Sequence, residues 1–160
     1  MVSLNIKGFA LDPETGTPIA ILKNEVDELV LPIWIGPAEA SAIIVELEEI
    51  RPPHPLTHDL FTYLFLRHGF RMDGLEIYDR SFEGSYLARI KYHKLFKHYS
   101  MSIRPSDGLA LAVRWGAPIQ VEERLLLPPA GLYPFLCEEN LCAEEIMFLN
   151  TEAKTHSRLM

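Results

Sequence analysis

The alternation of apolar and polar residues makes the first part of the chain look like β-structure. Residues 2–11 alternate weakly, and the short runs at 18–23 and 29–35 are rich in Ile, Leu and Val. Such runs are typical of buried strands, and the turn signal at 12–16 predicts that the first two form a hairpin. Pro32 lies inside the third run and predicts an edge position or a bulge there, because proline cannot donate to a sheet ladder.

Three segments further along carry the spacing and end signals of amphipathic helices. The first begins at Gly36, a suitable N-cap, and must stop at the prolines that follow Arg51. The second has Thr57 as its expected N-cap. The third runs from Pro105 to about Trp115. For the second helix we expect one inner apolar stripe, made of Leu60, Phe61, Leu64, Phe65 and His68.

The remaining patterned segments are predicted strands, at 70–79, 84–92, 96–103 and 118–121. Strands and helices are grouped and do not alternate strictly, which favours an α+β fold over a doubly wound α/β sheet. After residue 121 the pattern becomes irregular, although 142–152 could form a short closing helix. We therefore expect a domain at 1–125 and a variable C-terminal extension at 126–160.

Length and composition fit one ordinary globular domain. The chain has 160 residues, of which 48% are apolar and 23% charged. This balance excludes a disordered chain, and no apolar run is long enough to span a membrane. Cys137 and Cys142 are too few for a disulfide scaffold, and we expect them to be reduced and structural. The first residues show no signal peptide, so a cytoplasmic location is expected.

The net charge of -7 is unevenly distributed along the chain. Residues 60–104 hold 8 basic and 4 acidic residues, net +4, between two acidic flanks. This basic segment is interpreted either as a solvated strand face or as a strip that binds the phosphates of single-stranded nucleic acid. The residues assigned to such a strip are Arg89, Lys91, Lys94 and Lys97, interleaved with the aromatic residues Tyr92, Phe96 and Tyr99.

Familiar catalytic motifs are missing from the sequence. There is no GxxxxGK[ST] phosphate loop, no GxGxxG dinucleotide turn, and no HExxH, CxxC pair or GxSxG. We therefore expect no organic cofactor.

Two short segments combine hydroxyl, basic and acidic residues at predicted helix starts. They are 54–59, which contains His58 and Asp59, and 104–107, which contains Arg104, Ser106 and Asp107. Hydroxyls and carboxylates at these positions can simply cap helices, each contributing roughly 1 kcal/mol. Spacing alone favours this structural interpretation.

The same positions also suit phosphodiester chemistry. Asp59 and Asp107, with Glu39 from the first helix, could ligate Mg²⁺ or Mn²⁺. His58 could transfer protons, and Arg104 could hold a phosphate oxygen. Ser106 is grouped with them as the hydroxyl beside Asp107.

Several motifs in order resemble the bifunctional nuclease domain family. They are Leu31-Pro-Ile-Trp-Ile-Gly36 with Glu39, Leu56-Thr-His-Asp-Leu60, Arg104-Pro-Ser-Asp107, Leu109-Ala-Leu-Ala112 and Gly116-Ala-Pro-Ile119. The resemblance covers about residues 1–125, and Gly108 departs from the alanine expected there. It implies an α+β domain with a strongly bent mixed sheet and about three helices, a homodimer, and cleavage of DNA and RNA. The family supplies no agreed catalytic set, so the roles assigned above are physical inferences.

Two functional hypotheses follow. The first is a metal-dependent nuclease acting on DNA and RNA. The second is a non-catalytic homodimeric binding or regulatory module, in which the same motifs serve as helix caps.

Overall fold

One open mixed sheet forms the frame of the domain. The computed structural model describes residues 1–26, 29–132 and 147–148. Its strands are β1 (Val2–Leu11), β2 (Pro18–Lys23), β3 (Val30–Trp34), β4 (Arg71–Arg80), β5 (Tyr86–Lys94), β6 (Lys97–Ile103), β7 (Ile119–Val121) and β8 (Met147–Phe148). They lie in the order β3-β2-β1-β7-β4-β5-β6, with β8 paired to β1. Within the described residues β4 and β7 are parallel and every other strand pair is antiparallel.

Three α-helices accompany this sheet in the described part of the chain: α1 (Pro37–Leu47), α2 (Thr57–Arg67) and α3 (Pro105–Trp115). Two short 3-10 helices follow at Glu123–Leu125 and Pro129–Leu132. Grouped helices and a mixed sheet confirm the α+β class. Gly36 is the N-cap of α1, as predicted. Gly116 ends α3 with φ +60°, a left-handed conformation that glycine adopts at low cost. The N-cap of α2 is Leu56 and not Thr57, because the carboxylate of Asp59 accepts the free Leu56 N–H.

Strand β1 joins the two halves of the sheet. Residues 2–4 pair with β7, whereas residues 5–11 pair with β2 in the predicted hairpin. Pro32 lies in β3 at the edge of the sheet, which confirms its predicted position.

Helix α3 is the centre of the core. Residues 108–112 are all buried, and the helix packs on β4, β5 and α1. Its start is a regular helix, since Gly108 N–H donates to the Arg104 carbonyl at 3.0 Å. A Cβ at Gly108 would overlap Cδ1 of Leu75, which is fully buried in β4. This close approach explains why glycine stands where the family resemblance predicts alanine.

The predicted inner stripe of α2 is only partly correct. Phe61 and Phe65 are half-buried, and their rings contact each other at 4.4 Å between centroids with a tilt of 32°. Leu60 and Leu64 are 50% and 57% exposed, and His68 is also exposed. The buried residue of the helix is Thr62, whose hydroxyl donates to the His58 carbonyl. The helix therefore faces the domain on its 58–62–65 side, a rotation that periodicity alone did not specify.

The C-terminal predictions fall mostly outside the described residues, Cys137 and Cys142 included. Of the suggested helix at 142–152, only Met147 and Phe148 are described, and they form a strand paired with β1. This corrects the helical expectation at these two positions. Leu127 also joins the domain, through reciprocal backbone hydrogen bonds with Val30 of 2.9 Å.

The helices described here are short: none has the length and apolar character needed to cross a membrane.

The contact between Gly108 and Leu75 predicts that Gly108→Ala destabilises the protein. Overpacking a buried site costs about 1–3 kcal/mol, whereas alanine gains only about 1 kcal/mol in helix propensity. We expect urea unfolding to show a loss of about 1 kcal/mol in the wild-type background and no loss in a Leu75→Val background, where space is available. An equal loss in both backgrounds would show that Leu75 is not the obstacle.

Candidate functional site

The N-terminal ends of the three helices bring four of the predicted site residues together. Glu39 lies in the first turn of α1, His58 in that of α2 and Asp107 in that of α3, while Arg104 is the N-cap of α3. Helix N-termini carry unpaired N–H groups and partial positive charge, so they favour anions at this place. We call Glu39, His58, Arg104 and Asp107 the helix-end cluster.

Arg104 connects two carboxylates of this cluster. Its Nε donates to Asp107 Oδ2 at 2.7 Å, and its Nη2 lies 3.1 Å from both Asp107 Oδ1 and Glu39 Oε1. The Arg104 side chain is largely exposed, and its Nη1 makes none of these contacts. The guanidinium is therefore held in place while one of its nitrogens remains oriented away from the two acids.

His58 completes the cluster by contacting Asp107. Its Nε2 lies 3.2 Å from Asp107 Oδ1, although the two residues are 49 positions apart in the chain. Both side chains are partly buried. Burial alone would raise the pKa of Asp107, but hydrogen bonds from Arg104 and His58 outweigh it and hold the pKa below its ordinary value. Asp107 is thus a stable anion that can orient the imidazole of His58.

Gly36 allows Glu39 to reach the cluster. A Cβ at position 36 would overlap Glu39 Oε2, so the carboxylate folds back over the start of its own helix. From there it meets Arg104, which is 65 residues away in sequence.

Asp59 does not join the helix-end cluster. Its Oδ2 accepts the Leu56 N–H at 2.8 Å, and its Oδ1 accepts Nε of Arg114 at 2.6 Å. Arg114 is only 3% exposed and also donates to the carbonyls of Ala110 in α3 and Ala42 in α1. Burial raises the pKa of Asp59, but the hydrogen bonds from Arg114 and Leu56 lower it below its usual range. Asp59 is the structural cap of α2 and the counter-ion of a buried arginine.

The cluster as arranged does not fit the expected Mg²⁺ or Mn²⁺ site. Both oxygens of Asp107 and one of Glu39 accept from Arg104, and both oxygens of Asp59 are engaged elsewhere. A hard divalent ion needs several free oxygen ligands facing one point. Among the described residues, the group of three with closely spaced ligand atoms lies elsewhere, at Asp73, His93 and His98. Ser106 is buried in the first turn of α3, below the surface that the cluster presents.

The predicted basic strip is divided between the two faces of the sheet. Arg89 and Lys91 lie on the face away from the helices, where both form ion pairs with Glu76 of β4. Lys94 pairs in register with Lys97, and its Nζ lies 5.1 Å from the centroid of Phe70, on the helix side. Side chains alternate along a strand, so these four cannot form one continuous surface.

The interleaved aromatic residues also lie on the helix side. Tyr92 and Tyr99 stack at 5.3 Å between ring centroids, and Tyr92 contacts Phe65 of α2 and Phe70. Tyr92 packs against α2, Tyr99 is 40% exposed beside it, and neither shares a face with Arg89 and Lys91. Phe96, in contrast, is almost fully exposed at the β5–β6 turn.

Two residues that organise this region were not predicted. Arg114 stands in the last turn of α3, where a basic residue merely complements the helix dipole, so nothing local marks it as buried. Glu76 is only 5% exposed although it lies in a strand beside charged neighbours. Its position opposite Arg89 in the β4–β5 ladder is the signal that could have indicated it.

One cavity of the domain lies away from the helix-end cluster. That cavity is at the other ends of α1 and α3, lined among others by Leu47, Ala112 and Gly116.

Known proteins share sequence similarity with a large part of this chain. The bifunctional nuclease domain model matches residues 20–129. The chain is 36% identical over 134 residues to the uncharacterized protein Rv1829 of Mycobacterium tuberculosis (strain ATCC 25618 / H37Rv), covering 84% of this chain and 79% of that protein. It is 26% identical over 111 residues to Bifunctional nuclease 1 of Oryza sativa subsp. japonica, covering 67% of this chain and 33% of the rice protein. The chain belongs to the bifunctional nuclease domain family.

The contacts of Asp59 predict that replacing it lowers the free energy of unfolding. Asp59→Ala leaves Arg114 buried without its counter-ion, which typically costs about 3–5 kcal/mol. Urea unfolding should show this loss equally with and without Mg²⁺, while Glu83→Ala, in an exposed turn, should stay near wild type. If Asp59 were chiefly a metal ligand, its loss would leave the metal-free stability almost unchanged.

The ion pairs of the buried Glu76 predict that the stability of the protein depends on pH. Burial raises its pKa, but hydrogen bonds from Lys91 and Arg89 outweigh burial and hold the pKa below its ordinary value of 4.5. Because the folded pKa is depressed, this stabilisation is present above about pH 4.5 and is lost as the pH falls through the folded value. We expect the Tm difference between wild type and Glu76→Gln to be large at pH 7 and to shrink below pH 4.5. A pH-independent difference would contradict this assignment.

Proposed function

We propose that this protein hydrolyses phosphodiester bonds of DNA and RNA at the helix-end cluster. The observation that carries the proposal is the contact between His58 and Asp107 beside the exposed Arg104, assembled from separate helix starts. Membership of the bifunctional nuclease domain family supports the same reaction class.

Each residue of the cluster has a defined chemical part in this proposal. Asp107 accepts from His58 Nε2, so that Nδ1 of the imidazole is free to take a proton from an attacking water. Arg104 binds a phosphate oxygen through Nη1 and offsets charge that develops in the transition state. Glu39 orients Arg104 from the opposite side. The water oxygen bonds to phosphorus as its proton moves to His58 Nδ1. The bond from phosphorus to one sugar oxygen breaks, that oxygen takes up a proton from solvent, and His58 returns its proton to solvent.

The dependence on Mg²⁺ or Mn²⁺ stays a separate proposal. An ion at Glu39 and Asp107 requires Arg104 to leave both carboxylates, so we assign no step to it. Parallel assays in EDTA, Mg²⁺ and Mn²⁺ distinguish a reaction run by protein groups from one that needs this rearrangement.

The decisive experiment is a nuclease assay on matched variants from identical preparations. We expect His58→Ala and Asp107→Asn each to lower cleavage of single-stranded DNA and RNA by about 100-fold or more, since proton transfer typically contributes about 10²–10⁴-fold. His68→Ala is the control, because His68 is an exposed histidine at the other end of α2. Circular dichroism and Tm must show that each variant folds. Cleavage that persists in both variants, or that separates from the protein on a second column, would sink the proposal.

The alternative function is a non-catalytic binding or regulatory module. The observation that favours it is Asp59, which acts as a cap and buried counter-ion and not as a ligand. In that case purified protein would bind nucleic acid without cleaving it, and the binding would survive His58→Ala.

Homodimer formation and a cytoplasmic location are further proposals. The exposed apolar side chains of Leu60, Tyr63 and Leu64 on α2 support self-association, because such residues are costly to leave in water together. Sedimentation of wild type and Leu64→Glu tests the dimer, and cell fractionation tests the location.

A further inference from the structure

A second group of potential ligands lies on the solvent face of the sheet, distinct from the helix-end cluster. It consists of Asp73 in β4, His93 in β5 and His98 in β6. The chain from His98 to Arg104 is extended strand and spans roughly 20 Å, so the two places are well separated. We call Asp73, His93 and His98 the strand cluster.

Strand pairing fixes the two histidines side by side. His93 and His98 are direct partners in the antiparallel β5–β6 ladder, so their side chains project from the same face. Their ring centroids are 5.6 Å apart. The connection between β5 and β6 is only Leu95 and Phe96, which leaves the register little freedom.

A β-bulge directs Asp73 toward them. The β4–β5 register breaks between Met72 and Gly74, which leaves Asp73 as the extra residue of its strand. Bulges re-aim a side chain in this way. Asp73 Oδ1 lies 2.5 Å from His93 Nδ1, and Oδ2 lies 3.6 Å from His98 Nδ1. The carboxylate thus hydrogen-bonds one imidazole and stands just beyond hydrogen-bonding distance of the other.

This spacing matches the needs of a transition-metal ion. The ligand atoms of the three residues all lie within 4.8 Å of one another. Metal–ligand bonds of about 2.0–2.1 Å in tetrahedral geometry place ligand atoms roughly 3.4 Å apart. On metal binding, Asp73 Oδ1 and His93 Nδ1 would exchange their 2.5 Å hydrogen bond for bonds to the ion and move apart. A rotation of His98, whose side chain is 75% exposed, would bring the third ligand closer. Two imidazoles, one carboxylate and an open position for water are a common donor set of such sites.

The charges around the strand cluster favour an imidazole-binding ion over a hard one. Lys91, the nearest lysine on this face, is paired with Glu76, and Lys94 turns to Phe70 on the other face. Arg71 is the cross-strand partner of His93 and adds positive charge nearby. With one carboxylate against this background, Mg²⁺ has too little anionic attraction, whereas Zn²⁺ draws its affinity from nitrogen ligands.

We infer that Asp73, His93 and His98 form a site for one Zn²⁺-type divalent transition-metal ion, with a position left open to water or to an anionic oxygen. The bound ion would link the three strands β4, β5 and β6 at the exposed end of the sheet. This inference does not depend on the proposed nuclease activity.

Zn²⁺ titration by calorimetry tests the site on the full chain, after removal of adventitious metal. We expect one Zn²⁺ per chain at this site, with affinity reduced at least tenfold in both His98→Ala and Asp73→Asn. His68→Ala and His54→Ala are matched controls that change exposed histidines outside the strand cluster. Zn²⁺ should also raise the Tm of wild type and controls, because the ion binds the folded state, and not that of His98→Ala.

Co²⁺ substitution identifies the ligands by absorption. Binding at the strand cluster gives visible d–d bands without the near-ultraviolet thiolate charge-transfer band, whereas binding through Cys137 or Cys142 gives that band. A thiolate band as the main signal, or unchanged Zn²⁺ affinity in His98→Ala, would overturn the inference. The metal-free Tm of each variant, expected near wild type, shows that any lost binding is not lost folding.

Discussion

The buried guanidinium of Arg114 holds the helical part of this domain together. From α3 it donates to the Asp59 carboxylate on α2, to a backbone carbonyl on α1 and to one within α3. These hydrogen bonds offset the cost of burying its charge. A charge in this position is costly unless all its partners are present, so the three helices can pack correctly only together. Their N-terminal ends then lie side by side, and this brings Glu39, His58 and Asp107 within reach of Arg104.

Asp59 and Asp107 both lie in the first turn of a helix, but they serve different purposes. Asp59 caps a helix and neutralises the buried Arg114, so both of its oxygens are engaged. Asp107 is about as exposed as Asp59, but it shares its oxygens between His58 and the exposed Arg104. Position in the first turn of a helix therefore does not show whether an aspartate is a structural cap or part of a reactive cluster. What distinguishes them is whether the partner is buried or faces solvent.

Local rules were sufficient for much of the fold. Pro32 at a sheet edge, Gly36 and Gly116 at helix ends and the β1–β2 hairpin follow from backbone constraints that act within a few residues. The rotation of α2 did not follow, because its contacts come from α3 and from Phe70 and Tyr92, which are distant in sequence. The convergence of Glu39 with Arg104 has the same origin. The division of the basic strip was accessible in principle, since alternation along β5 already assigns Arg89 and Lys94 to opposite faces.

The placement of β1 has a consequence for how the chain matures during synthesis. Its partner β2 follows at once, but β7 begins only at residue 119, and the ladder between β1 and β7 comprises three residue pairs. The N-terminal hairpin and the β4–β6 meander contain local pairings and can form while the chain is still emerging from the ribosome. The pairing of these two parts into one sheet must wait until β7 has left the exit tunnel. A nascent or truncated chain that ends before that point holds two partial sheets without the strand that lies between them.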